Sequence, residues 1–326
     1  MEIALTGGTG FVGRHTARWL VERGHGVRLL ARDRTRVPPE LAEVVRIFAG
    51  DVTRPEQLAP FVAGATHVVH MAAVVGEGGV AAERYHAVHV TATRRLIEAA
   101  AAAGVRRFVH LSSVGVYGDT GARAADETCP ARPEDAYERS KWQGEEEARA
   151  AAREHGVELV VLRPAGVYGR FDRRLLKLFR GIASGRFVLV GPCTCRYHLV
   201  HVEDVARAVE LALVSASAAG EDFIVAGPEP VALSALITAI ARIAGTRPPR
   251  LRLPLAPVAL AARWMERLAR PFGVRPPLYP ERVAFFTKER AYSIDKARRL
   301  LGFEPAVDLE TGLRRTLADY RADGWL

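Results

Sequence analysis

The chain has 326 residues, of which 49% are apolar and 25% charged, an ordinary balance for a soluble globular protein with one large or two modest domains. Its formal charge of +9 raises nucleic-acid binding, but the basic residues (four of them lysine) are scattered along helical patterns, without zinc-finger, helix-turn-helix or aromatic-basic motifs, so no nucleic-acid partner is expected. No long uncharged apolar run is present to span a bilayer, nothing at the start resembles a signal peptide, and Cys129, Cys193 and Cys195 have neither disulfide nor zinc spacing, so a cytoplasmic, metal-free protein is expected.

The first half alternates strand and helix patterns. Glu2–Thr6 reads as a short apolar strand and Phe11–Arg23 as an amphipathic helix. Gly26–Arg32 and Val44–Ala49 read as the next strands, with a short helix after Pro55. Thr66–His70 is a fourth strand, Ala81–Ala103 a long alanine-rich helix and Arg107–Ser112 a fifth strand. A helix over Ala136–Glu154 leads to a sixth strand, Val157–Arg163. Such βαβ units predict an α/β protein with a Rossmann-type doubly wound parallel sheet. Beyond Tyr168 the pattern loosens. Leu175–Ser184 and Glu203–Val214 read as helices, Phe187–Val190 and Phe223–Val225 as extended, with Pro/Gly punctuation at 248–249, 271–273 and 276–277. The expected division is a dinucleotide-binding domain of residues 1–168 plus about 199–227, and a smaller discontinuous substrate domain of about 169–198 plus 228–326.

Between the first strand and the first helix lies Thr6-Gly7-Gly8-Thr9-Gly10-Phe11-Val12-Gly13. Gly7, Gly10 and Gly13 follow G-x-x-G-x-x-G. Glycine permits the tight turn, lets backbone approach a pyrophosphate and packs helix on sheet, while the helix N-terminus offers free N–H groups to phosphate. Cofactor choice is read at the end of the second strand, where an acidic residue would bind a ribose 2′-hydroxyl. Here Ala31 takes that place and Arg32 follows, near Arg34 and Arg36, which suits a 2′-phosphate; NADP(H) is favoured and NAD(H) remains open through Asp33. Asp51 and Val52, after the third strand, are placed for the adenine ring.

Tyr137-Glu138-Arg139-Ser140-Lys141 sets a tyrosine and a lysine one turn apart on one helix face. A phenol with a reference pKa of about 10 is a poor base at neutral pH, and a neighbouring ammonium favours its phenolate. Lys141 is therefore expected to tune Tyr137, which would exchange a proton with a substrate oxygen. Ser112 and Ser113 end the fifth strand, at the edge where such sheets bind ligands. A second Tyr-x-x-x-Lys, Tyr292 to Lys296, lies far from the glycine loop and is expected to be structural. His198, His201 and Asp204 are expected to be structural or substrate-lining rather than metal-binding. Pro254–Arg270 predicts an apolar helix with Arg263, Arg267 and Arg270 on a polar side. It reads first as a packed lid, and second as a contact for a lipophilic substrate or a membrane surface.

These motifs in this order resemble the extended short-chain dehydrogenases of the NAD-dependent epimerase/dehydratase group, over nearly the whole chain. The resemblance rests on Thr6–Gly13, Gly50-Asp51-Val52, His70-Met71-Ala72-Ala73, Phe108–Gly118, Tyr137–Lys141, Leu162-Arg163-Pro164, His201–Val205 and Lys296–Pro305. It implies Ser113 as the third catalytic residue beside Tyr137 and Lys141, Ala72 and Pro164 against the cofactor, a small-molecule substrate, and a homodimer through the helices 81–103 and 136–154. Two departures stand out. Gly166 and Tyr197 occupy positions where nucleotide-sugar enzymes grip a diphosphate with asparagine and arginine, Arg196 being one step off. His89 stands where many relatives have asparagine. The strand end 29–33 resembles dihydroflavonol-reductase-like members, and the segment 285–305 resembles 3β-hydroxysteroid dehydrogenase-like members. The expected activity is reversible hydroxyl/ketone interconversion on a small or lipophilic substrate. A nucleotide-sugar epimerase or dehydratase with recycled cofactor is the first alternative, and a non-catalytic NADP(H)-binding scaffold or sensor the second.

Overall fold

The computed structural model describes residues 1–75, 80–272, 274 and 276–326, apart from the side chain of Arg270. Seven strands build the central sheet: β1 (Glu2–Thr6), β2 (Gly26–Ala31), β3 (Arg46–Ala49), β4 (His67–His70), β5 (Arg107–Leu111), β6 (Glu158–Pro164) and β7 (Asp222–Val225). All are parallel, in the order β7-β6-β5-β4-β1-β2-β3. The order reverses at β1, whose neighbours are β2 and β4, so a crevice opens beyond Thr6 and His70.

Alternation of side chains explains how both faces bury. Ile3 and Leu5 face one apolar cluster with Leu20, Leu29, Val109 and Val205. Ala4 faces the other with Val68, Leu96, Phe108 and Ala148. The first face is covered by α1 (Phe11–Glu22), the second by α2 (Ala92–Ala102) and α3 (Ala136–His155). A third cluster gathers Phe179 and Ile182 of α4 (Arg173–Ala183) with Ile237, Ile240, Leu313 and Tyr320. Two further helices are α5 (Val202–Val214) and α6 (Leu255–Ala269). No helix among the described residues is long and apolar enough to cross a membrane.

Helix α3, which carries Tyr137 and Lys141, is fixed at both ends. Asp135 caps it, its Oδ1 accepting from the Glu138 amide at 2.7 Å, and Gly156 ends it in the left-handed region at φ 69°. Lys288 ties its first turn to the C-terminal part of the chain, with Nζ 2.8 Å from Glu138 Oε1 and 3.2 Å from Glu134.

The expected continuous helix over 81–103 is interrupted. It consists of an α turn at Ala82–His86, a π turn at Ala87–Thr91, and then α2. The wider turn brings the backbone of His89 against α3 at Gly144, where a methyl group would collide with the His89 carbonyl oxygen.

Candidate functional site

The glycine turn is built by steric necessity. Gly7 has φ 78°, and a Cβ there would sit 2.6 Å from the carbonyl carbon of Met71. A Cβ on Gly13 would overlap the carbonyl oxygen of Gly7, so the helix can approach the turn this closely only without a side chain. The Gly10 amide donates to Gly7 O at 3.0 Å, and Gly10 caps α1 with no side-chain acceptor. The first amides of α1, around the half-buried Phe11 and Val12, thus lack a side-chain cap and suit a phosphate. This cradle fits a dinucleotide.

At the other end of the crevice Arg32 is exposed just past β2, with no hydrogen bond or ion pair to another described residue. Asp33, the competing acidic group, is engaged locally: its Oδ1 accepts from Thr35 N at 2.9 Å and from Thr35 Oγ1 at 2.6 Å. Asp51 accepts from Thr53 N at 3.0 Å and Thr53 Oγ1 at 2.9 Å. Burial raises its carboxyl pKa, but these bonds and the charges of Arg32 and Arg84 bring it below the ordinary value. Val52 is buried beside it. Ala72 is half-buried, its amide 3.3 Å from Thr6 Oγ1, and Pro164 is buried at the end of β6.

Lys141 of α3 reaches the carboxyl end of β5, just beyond which lies Ser113, and Tyr137 stands one turn before Lys141 on the same helix. Lys141 is buried and its Nζ donates to Leu111 O at 2.7 Å. Burial lowers its pKa to about 8, with Glu145 acting in the opposite sense. Ser113, two residues beyond Leu111, is half-buried and its Oγ accepts from the Gly115 amide at 3.0 Å. Ser112 is buried instead, with no partner for its Oγ among the described residues. The ring of Tyr137 packs edge-on against His89, 5.8 Å between centroids.

Burial raises the pKa of the Tyr137 phenol, and the leading opposing influence is the cation of Arg174, at the start of α4. Lys141, expected from the sequence to act on the phenol, is not among the leading influences on it, and its ammonium donates to the Leu111 carbonyl. Arg174 escaped the sequence reading. It follows an irregular stretch with positive φ at Gly169 and Phe171, so no periodicity announces where it points.

His89, one of the two departures from the family pattern, bridges two segments of the site. Its Nε2 accepts from the Val74 amide at 2.9 Å, so Nδ1 carries the proton and donates to Ser140 Oγ at 2.8 Å. Ser140 in turn donates to Tyr137 O at 2.7 Å. A second chain runs parallel. Thr93 donates to His89 O at 2.7 Å and therefore accepts from His70 Nε2 at 3.0 Å, leaving His70 Nδ1 to accept from Thr6 Oγ1 at 2.7 Å. Burial lowers the pKa of both imidazoles to about 3, so both are neutral.

The remaining candidates have other occupations. Tyr292 is buried and stacks on His198 at 6.1 Å, while Lys296 pairs with Glu221 at 2.7 Å. His198 Nε2 lies 3.0 Å from Gly227 O, His201 caps α5, and Asp204 accepts from the amides of Ala306 and Val307. Arg196 pairs with Glu289 at 2.8 Å and donates to Gly121 O at 2.7 Å. A cavity of about 370 Å³ between α3 and β7 is lined by Tyr117, Trp142, Arg149 and Asp222 but by none of the expected site residues. Its charges pair with one another, Arg149 with Asp222 at 2.6 Å and Arg163 with Asp222 at 2.9 Å.

Comparison with known proteins agrees with this architecture. A model of the NAD-dependent epimerase/dehydratase family matches residues 3–226. A 3-beta-hydroxysteroid dehydrogenase from Mycolicibacterium neoaurum is 31% identical over 337 residues, covering 98% of this chain and 91% of that one. The crystal structure of gox2253 is 32% identical with a TM-score of 0.85, over 100% of this chain and 99% of that one. The UDP-glucose 4-epimerase of Thermus thermophilus, solved with NAD, is 26% identical with a TM-score of 0.76, over 98% and 99% of the two chains. With the family model spanning the whole sheet and a dehydrogenase matching along nearly the full length, this chain belongs to the NAD-dependent epimerase/dehydratase family of extended short-chain dehydrogenases, and it is an enzyme of that type.

Proposed function

We propose that the enzyme interconverts a hydroxyl and a ketone on a small or lipophilic substrate, with Tyr137, Lys141 and Ser113 handling the proton and NADP(H) as the preferred cofactor. The observation that carries this reading is the reach of Lys141, one helical turn after Tyr137 on α3, to the Leu111 carbonyl at the end of β5, two residues before Ser113. The bound nicotinamide would supply or accept the hydride. Tyr137 gives its phenolic proton to a carbonyl oxygen, or takes one from a hydroxyl. Ser113 donates to the same oxygen, since its Oγ accepts from the Gly115 amide and leaves the O–H proton available. Lys141, anchored to Leu111, keeps a positive charge at the base of the site. Residues 169–198 and 228–326 supply the substrate side, including Arg174.

Three observations support the finer choices. Arg32 is exposed while Asp33 is committed to Thr35, which favours a 2′-phosphate. Arg196 is held by Glu289 and Gly121, which removes it as a diphosphate grip and disfavours a nucleotide sugar. The 31% identical relative is named for a hydroxysteroid, a lipophilic alcohol.

The test is a turnover panel. Hydroxysteroids and medium-chain hydroxyalkanoates are offered with NADP⁺ and with NAD⁺, and UDP- and dTDP-sugars are offered with either cofactor. Oxidation of a lipophilic alcohol is expected, with NADP⁺ the better oxidant. Equal or better turnover with NAD⁺ rejects the cofactor choice, and epimerisation or dehydration of a sugar nucleotide rejects the substrate class.

A further inference from the structure

Among the described residues, eleven large apolar side chains are exposed, and seven of them fall between 251 and 274. Helix α6 is the centre of this patch. Ala262 is the one buried residue of its fifteen, so its inner side meets the protein only lightly and the lid expected from sequence is not packed on its outer face. Leu260, Trp264 and Leu268 recur every four residues, 57%, 55% and 66% exposed, and form one outward stripe; Phe272 continues it at 79%. Arg263 and Arg267 are also exposed, one step round the helix, and line the edge of the stripe. Between 247 and 274 the sequence holds six arginines and one acidic residue, Glu266.

We propose that this face docks on a bilayer surface carrying anionic phospholipid. Soluble proteins rarely leave so continuous an apolar stripe in water. A stripe of leucines with a tryptophan, edged by cations, is the pattern of a helix lying in the headgroup region: the apolar side chains enter the acyl boundary, the indole sits at the interface, and the guanidinium groups meet phosphates. Charge selects this occupant. An antiparallel pairing of two copies across the stripe would set arginine edge against arginine edge, which disfavours a second copy of the chain. Docking of this kind is independent of the proposed reaction.

The test uses the full chain and vesicles of phosphatidylcholine alone or mixed with phosphatidylglycerol, separated by sedimentation. Binding should be about tenfold or more stronger with phosphatidylglycerol, and should weaken as salt rises. Trp264→Ser with Leu268→Ser should abolish it, with melting temperature and cofactor affinity unchanged because both side chains are exposed. Arg263→Glu with Arg267→Glu should remove the preference for the anionic lipid. The proposal is overturned by absence of binding to phosphatidylglycerol vesicles at low salt, or by unchanged binding of the variants. It is equally overturned by a lipid-free dimer that Trp264→Ser dissociates, since the face would then belong to a second copy.

Discussion

His89 and Ser140 are joined at 2.8 Å, and through Ser140 the imidazole reaches the carbonyl of Tyr137. The π turn before α2 is what aims His89 there. The other ring nitrogen accepts from Val74, so one side chain links the chain just past β4 to the helix that presents the phenol.

Replacing His89 with phenylalanine leaves the Val74 amide and Ser140 without their partner. The expected loss is about 1–3 kcal/mol of stability, since a buried polar group is left unsatisfied. Turnover should fall more than cofactor affinity. His89→Asn, which keeps a donor and an acceptor, should recover part of both. Urea denaturation and steady-state kinetics read the two effects; a His89→Phe protein with unchanged stability and turnover contradicts this role.

Acid should destabilise the fold well above the carboxylate range. Burial lowers His70 and His89 to about 3, and His198 and His201 to about 4. The unfolded chain protonates these rings near 6.5 while the folded chain refuses the proton. Stability that is full above pH 6.5 is therefore lost as pH falls toward 4, by about 1.4 kcal/mol per pH unit for each proton refused. Urea midpoints at pH 7.5 and pH 5 should differ clearly, and equal midpoints would show that these imidazoles accept protons in place.

Arg174 offers a separate handle on the phenol. It is the leading influence holding Tyr137 down against burial. Arg174→Gln should raise the apparent pKa of alcohol oxidation, which needs the phenolate. Oxidation near pH 7 should drop roughly three- to tenfold and recover at higher pH, a unit of pKa being a factor of ten in phenolate. A uniform loss at every pH would instead assign Arg174 to substrate binding alone.

Gly13 and Gly10 should differ in their tolerance of a methyl group. A Cβ at Gly13 overlaps the Gly7 carbonyl, whereas at Gly10 it meets the same oxygen at 3.2 Å. Gly13→Ala should cost about 1–3 kcal/mol through overpacking, and cofactor affinity should fall with it. Gly10→Ala should be milder. Calorimetric titration with NADP⁺ and NAD⁺ measures both, and also reports which cofactor binds more tightly.

What sequence discloses here follows from what each residue must do. The opening glycines are legible because backbone geometry admits no other residue at Gly7 or Gly13. The sheet is legible because Ile3, Leu5, Val68 and Val69 sit in short runs buried on both faces. The π turn at Ala87–Thr91 is not legible, because an alanine-rich stretch suits an α-helix equally and the deviation is set by contacts with α3. Arg174 is hidden for a similar reason. Its position depends on the irregular chain after Gly169 and on Asp172, buried and capping α4, and neither has a periodic signature. The outward stripe of α6 reads as core from spacing alone. Only the fold shows it exposed among the described residues.

The central claim is that Tyr137 moves the proton, and Tyr137→Phe tests it most directly. Alcohol oxidation by this variant is measured beside an independent determination of its cofactor affinity. Turnover should fall by about a hundredfold to ten-thousandfold, the range of general acid–base catalysis, with cofactor affinity essentially unchanged. Turnover comparable to the parent, with the cofactor still bound, would contradict it.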